Sequence, residues 1–140
     1  MGSKVIYDME TLGLMKLFEN ITHSRIKDCI IEPEKIIFIV QENELRQALG
    51  KGAENIRKLS EKFKKRAKIV EFKPNMLDYI KNFIHPLKVE EITENDGIVT
   101  LKSSDMKTRG LLIGRAAKNL RSLEEYVKRD FPNLKEIKVI

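Results

Sequence analysis

Leu45-Arg46-Gln47-Ala48-Leu49-Gly50-Lys51-Gly52-Ala53-Glu54-Asn55-Ile56-Arg57-Lys58-Leu59 lies over Arg109-Gly110-Leu111-Leu112-Ile113-Gly114-Arg115-Ala116-Ala117-Lys118-Asn119-Leu120-Arg121-Ser122-Leu123 at an offset of 64 residues. Five positions are identical: Gly50/Gly114, Ala53/Ala117, Asn55/Asn119, Arg57/Arg121 and Leu59/Leu123. Leu49/Ile113, Lys51/Arg115 and Ile56/Leu120 keep their type. A period close to half of a 140-residue chain implies a duplicated domain.

Working outward, the first copy is preceded by a helical pattern from Asp8 to about Thr22, with Leu12, Met15 and Phe18 at helical spacing and Asp8 as its cap. Two β-branched runs follow, Arg25 to Ile31 and Ile36 to Val40, separated by the turn residues Glu32-Pro33-Glu34-Lys35. A short helix ends at Gly50, a second starts near Ala53 and buries Ile56, Leu59 and Phe63, and Lys68 to Phe72 closes as a strand. The second half repeats this order: a helix over Asn75 to Phe83, strands over Lys88 to Thr93 and Ile98 to Lys102 around Asn95-Asp96-Gly97, a helix to Ile113, a helix from about Ala117 to Arg129, and a strand over Glu136 to Ile140. The expected fold class is α+β, an αββααβ unit made twice, with domains at 1–72 and 73–140.

Composition narrows the function. The chain is 41% hydrophobic and 34% charged with 7 Gly and 4 Pro, which suits a globular protein and excludes a disordered tail. Its net charge is +6, carried equally by the halves: 14 basic against 11 acidic residues in 1–72, and 13 against 10 in 73–140. That balance favours a polyanionic partner. One cysteine, Cys29, allows no internal disulfide, and Met1 to Val5 lacks an apolar signal core, so a cytoplasmic location is expected. No apolar run is long enough to span a membrane. His23 and His85 stand too far apart in sequence for a familiar zinc spacing, so neither metal nor cofactor is expected. His23 reads as the C-terminal cap of the first helix. No carboxylate pair has a His or Ser partner at catalytic spacing, so no catalytic residue is assigned and the protein is not expected to be an enzyme.

A glycine that ends one helix just before the next begins leaves backbone N–H groups of the second helix without intrahelical partners, and such an end attracts anions. Lys51 and Arg115 add positive charge there. A P-loop is excluded because Gly50-Lys51 is followed by Gly52 rather than a hydroxyl residue, and a dinucleotide loop because Asn55 stands where its third glycine belongs.

Leu49 to Ile56 and Ile113 to Leu120 resemble the Gly-x-x-Gly signature of KH domains, in the αββααβ order of the prokaryotic type, type II. The tandem arrangement, with Leu17 to Thr22 and Arg25 to Ile30 ahead of Ile36 to Val40, is similar to the archaeal NusA-like transcription factors over nearly the whole chain. The resemblance implies two three-stranded sheets packed on helices. It also implies binding of single-stranded RNA, with the loop clamping about four nucleotides of backbone, and a role in transcription termination or antitermination. The low aromatic content, 6% with no Trp, agrees with a module that does not hold bases by ring stacking.

The positions matching that pattern are Gly50, Lys51, Gly52 and Ala53, with Asn55, Arg57 and Lys58 after them, and Gly114, Arg115, Ala116 and Ala117, with Lys118 and Arg121 after them. Single-stranded RNA is the expected partner, RNA polymerase or other transcription factors further ones, and the protein a monomer. The alternative is a ribosome-associated or assembly component in which one domain docks protein. Two departures stand out: Ala53 and Ala117 occupy the family's last glycine, and Ala116 replaces a further small position. A methyl group at the helix-opening position is acceptable at negative φ, the expectation for both alanines, and the second loop is expected to bind more weakly.

Overall fold

A computed structural model describes residues 8–140, and the amino-terminal reading at Met1 to Val5 lies outside the described residues. The chain divides into two compact units, one ending at Lys73 and the other continuing from Pro74. Lys73 is held within the first by ion pairs of its Nζ to Glu71 at 3.0 Å and Glu42 at 3.6 Å.

The first unit runs α1 (Met9–Thr22), β1 (Ile26–Ile31), β2 (Lys35–Val40), α2 (Leu45–Leu49), α3 (Glu54–Phe63) and β3 (Arg66–Glu71). Asp8 caps α1, accepting from the Thr11 N–H at 2.7 Å, and His23 ends it in the left-handed conformation. The sheet order is β1-β2-β3, with β1 and β2 antiparallel and β2 and β3 parallel. A helical crossover from β2 through α2 and α3 makes the parallel pairing possible. Every residue from Ile36 to Val40 is buried, which is why β2 reads as an unbroken apolar run. The helices supply Phe18, Ala48 and Leu59 to a core with Cys29, Ile36, Phe38 and Val40, and the Phe18 and Phe38 rings stack with centroids 4.5 Å apart. Phe63 packs at the edge of this core, while Leu12 turns outward and is half exposed. Its helical spacing is real, but α1 carries apolar residues on more than one face, so spacing alone did not select the buried one.

The second unit runs α4 (Met76–Ile84), β4 (Glu91–Asn95), β5 (Ile98–Lys102), α5 (Met106–Ile113), α6 (Lys118–Lys128) and β6 (Glu136–Val139), with sheet order β4-β5-β6 and the same mixture of antiparallel and parallel pairs. Its core collects Tyr79, Ile80 and Phe83 from α4, Val99 and Leu101 from β5, and Leu123 and Val127 from α6. Strand β4 lies further along the chain than Lys88 to Thr93. Asp96 and Gly97, both at positive φ, form a two-residue turn, so Asn95 pairs with Ile98 and belongs to the strand. Among the described residues no helix is long and apolar enough to cross a membrane.

Candidate nucleic-acid interface

In both units the two central helices are joined by one tight 3₁₀ turn, Lys51–Ala53 in the first and Arg115–Ala117 in the second. The turns have the same backbone. Gly50 lies at φ 72° and ψ −177°, Gly114 at φ 75° and ψ 174°. Gly52 (62°, 26°) matches Ala116 (54°, 32°), and Ala53 (55°, 31°) matches Ala117 (61°, 21°). A 3₁₀ bond closes each turn, from the Ala53 N–H to the Gly50 carbonyl and from the Ala117 N–H to the Gly114 carbonyl, both 3.2 Å.

Positive φ at the consecutive residues Gly52 and Ala53, and again at Ala116 and Ala117, corrects the expectation that Ala53 and Ala117 open their helices at negative φ. They stand just outside, as N-caps, and α3 and α6 start at Glu54 and Lys118. The left-handed conformation costs an L-residue about 1–2 kcal/mol, and Ala117 and Ala116 accept it in succession. Since Ala116 keeps the backbone of Gly52, the loops differ in side chains rather than in path.

The glycine and asparagine identities of the repeat form a single device. The Asn55 Nδ2 donates to the Ala48 carbonyl at 2.9 Å and the Asn119 Nδ2 to the Leu111 carbonyl at 2.9 Å, tying the new helix to the end of the old one. Each amide is pressed against its glycine: a Cβ on Gly50 would come within 2.9 Å of the Asn55 Nδ2, and one on Gly114 within 2.6 Å of the Asn119 Cγ. Asn55 is buried, so it sets the loop's shape from inside the protein.

Helices α1, α4 and α5 begin with Asp8, Asn75 and Asp105, whose side chains accept a first-turn amide. Helices α3 and α6 begin with alanine and have no side-chain cap. A carboxylate at the cap would occupy the first-turn amides and repel an anion; a methyl group leaves that positive end open.

Lys51 is exposed beside the first loop, as are Arg115 and Lys118 beside the second, and no ion pair involves any of them among the described residues. Arg57 is likewise exposed and unpaired, whereas Lys58 meets Glu54 at 3.7 Å. Arg121 behaves differently from its repeat partner Arg57. Its Nη1 donates to both oxygens of Glu124, at 2.9 and 3.0 Å, and that buried carboxylate also accepts the Ile137 N–H at 2.7 Å. The hydrogen bonds to Glu124, and then its charge, raise the Arg121 pKa further. Position 60, the counterpart of 124, is Ser60, whose hydroxyl accepts the Ala67 N–H at 3.0 Å. A serine needs no counter-charge, so Arg57 stays free.

Further along the basic run, Lys65 donates to the Glu32 carbonyl at 3.0 Å. Lys68 is half-buried, and burial together with Lys35 and Arg66 holds its ammonium down to about 8.

The first loop also borders an open groove of about 460 Å³ between the end of α1, α2 and α3, lined among others by His23, Arg46, Gln47, Lys51, Glu54 and Lys58. His23, Arg46 and Gln47 were missed in the sequence because their link to the loop runs through the packing of α1 against α2 and α3. Only the placement of Arg46 four residues before Gly50, one helical turn from the loop, was a usable signal.

Comparison with known proteins agrees with this geometry. The KH domain family pattern matches residues 15–90, just over half of the chain. The chain belongs to the KH domain family. It is 30% identical over 99% of its length to a protein of Methanocaldococcus jannaschii named "Probable transcription termination protein NusA", covering 76% of that protein, and 27% identical to the protein of the same name in Thermoplasma acidophilum, covering 96% of it. A solved structure described as "Crystal structure of APE1850" superposes over 96% of this chain with a TM-score of 0.72 at 25% identity. The two αββααβ units of this KH protein are thus an architecture shared along the whole chain.

Proposed function

We propose that this KH protein binds single-stranded RNA and acts as a transcription termination or antitermination factor of the NusA type. The observation that carries the reading is the pair of matching loops, each with a cation beside an alanine-capped helix end. A phosphodiester lies against the Gly50 to Ala53 turn, drawn by the positive end of α3 and by Lys51, with Arg57 and Lys58 continuing the positive surface. The second loop offers Gly114 to Ala117 with Arg115 and Lys118. Asn55 and Arg121 act through the protein, Asn55 by fixing the loop and Arg121 by holding Glu124. Small side chains at the turn let the backbone of a nucleic acid approach closely, which reads phosphate spacing rather than sequence.

The names borne by the archaeal relatives direct the reading to transcription, with RNA polymerase or another transcription factor as a further partner. The protein works as a cytoplasmic monomer without catalytic activity. The test is a titration of a labelled single strand and its matching duplex at two ionic strengths. The single strand binds more tightly, and its affinity falls as salt rises. Equal affinity for the two forms, or no salt dependence, overturns the reading.

A further inference from the structure

We infer that the groove between α1, α2 and α3 of the first unit is a second phosphate subsite, which takes the RNA backbone one or two nucleotides beyond the loop clamp and has no counterpart in the second unit. The inference rests on the RNA reading and adds residues that the loop pattern does not contain.

The groove opens directly from the loop, because Gly50 and Lys51 form part of its wall. Its charge is one-sided. Arg46, Lys51 and Lys58 contribute three cations against the single carboxylate of Glu54. That carboxylate is already drawn to Lys58 at 3.7 Å, and neither Arg46 nor Lys51 has an acidic partner among the described residues. Guanidinium and ammonium groups without counter-ions, facing one groove, suit a phosphate. The wall is also rigid: Gln47 Nε2 donates to the Thr22 carbonyl at 3.2 Å, pinning α2 to the end of α1, and the His23 N–H is bonded to the Glu19 carbonyl at 2.8 Å.

The repeat supplies an internal comparison. At the offset of 64, Arg46 becomes Gly110, Gln47 becomes Leu111, Lys58 becomes Ser122 and Glu54 becomes Lys118. Of the three cations only the loop one survives, as Arg115, while Lys118 places a cation at the helix start where the first unit has Glu54. The loops share a backbone, but the surface leading away from the second has lost the cations at positions 46 and 58 and exposes Leu111 instead. The two sites therefore differ in how far they follow a strand, not in how they grip it.

The test uses the intact chain and labelled oligouridylates of four and eight nucleotides, with affinity measured across a salt series for the unaltered protein, Arg46→Ala and Arg46→Lys. Arg46 is exposed, and an unchanged circular dichroism melt verifies folding. Arg46→Ala lowers affinity for the eight-mer by about threefold to tenfold and reduces its salt slope by about 0.7, the value of one phosphate contact on a single strand, while the four-mer is unaffected. Arg46→Lys restores most of the loss. Equal effects on both lengths, or none on the eight-mer, remove the subsite and leave the loop clamp standing. Failure of the unaltered protein to bind either length removes the RNA reading and the subsite together.

Discussion

Replacing Gly50 by Ala and, separately, Gly52 by Ala distinguishes the two roles a glycine has in this loop. At Gly50 the backbone lies at φ 72° and ψ −177°, a region essentially reserved for glycine, and the new methyl would stand 2.9 Å from the Asn55 amide. The strain is roughly 1–3 kcal/mol. Displacing the buried Asn55 donor from the Ala48 carbonyl adds about 1–3 kcal/mol. The expected loss is therefore about 4 kcal/mol, from these two terms together. Gly52 has positive φ but open space around it, and Ala116 already occupies its counterpart, so Gly52→Ala costs only about 1 kcal/mol. Hydrogen exchange of the β1 to β3 amides in the intact chain measures the difference. Gly50→Ala speeds exchange by on the order of 1000-fold, and Gly52→Ala by less than about tenfold. Adding Asn55→Ala to Gly50→Ala costs less than the separate losses, because both remove the same bond. Equal effects of the two glycine substitutions, or full additivity with Asn55→Ala, would refute the lock between Gly50 and Asn55.

Lys51→Asp with Gly52→Asp weakens single-stranded RNA binding by at least about tenfold without lowering the melting temperature by more than a few degrees, and Arg115→Asp with Ala116→Asp costs less; the reverse order in a titration disproves the dominance of the first loop. Ala53→Gly relieves left-handed strain and leaves the melting temperature unchanged or raises it, whereas a clear drop would show that the methyl contributes packing absent from the structure. Arg121→Ala destabilises the second unit in the presence of Glu124, whose buried carboxylate it leaves unpaired, and has almost no effect once Glu124→Ser removes that carboxylate, a cycle measurable by hydrogen exchange of β6. The depressed Lys68 pKa means that the native state releases this proton near pH 8 while the unfolded chain holds it to about 10.5, so stability rises with pH across that window, and Lys68→Gln flattens the rise in thermal melts at pH 7.5 and 9.5.

Much of this was legible in the order of residues. The 64-residue offset announced two copies, and the β-branched Ile36 to Val40 run marked a strand. Asp8 and Gly50 mark helix ends because each acts within four residues, through a side chain reaching the Thr11 amide and a backbone only glycine adopts. Element order, helix caps and the place of the loops depend on neighbours in the chain, and such information survives in a linear string.

What the string could not state is where each side chain faces once distant segments meet. Ala53 carries no mark of positive φ; the turn is closed by the bond from its N–H to Gly50 and by Asn55 reaching back to Ala48, and together they hold the alanine in a conformation it would not choose alone. Arg57 and Arg121 are identical letters, yet only packing of α6 on β6 buries Glu124 and commits Arg121 to it. Likewise His23 and Arg46 line one groove although 23 residues separate them. Local periodicity and turn chemistry decided the fold and pointed to the loops, since both act over a few residues; partner choice and the groove belong to the tertiary structure, because they follow from burial and from contacts between elements that sequence spacing does not encode.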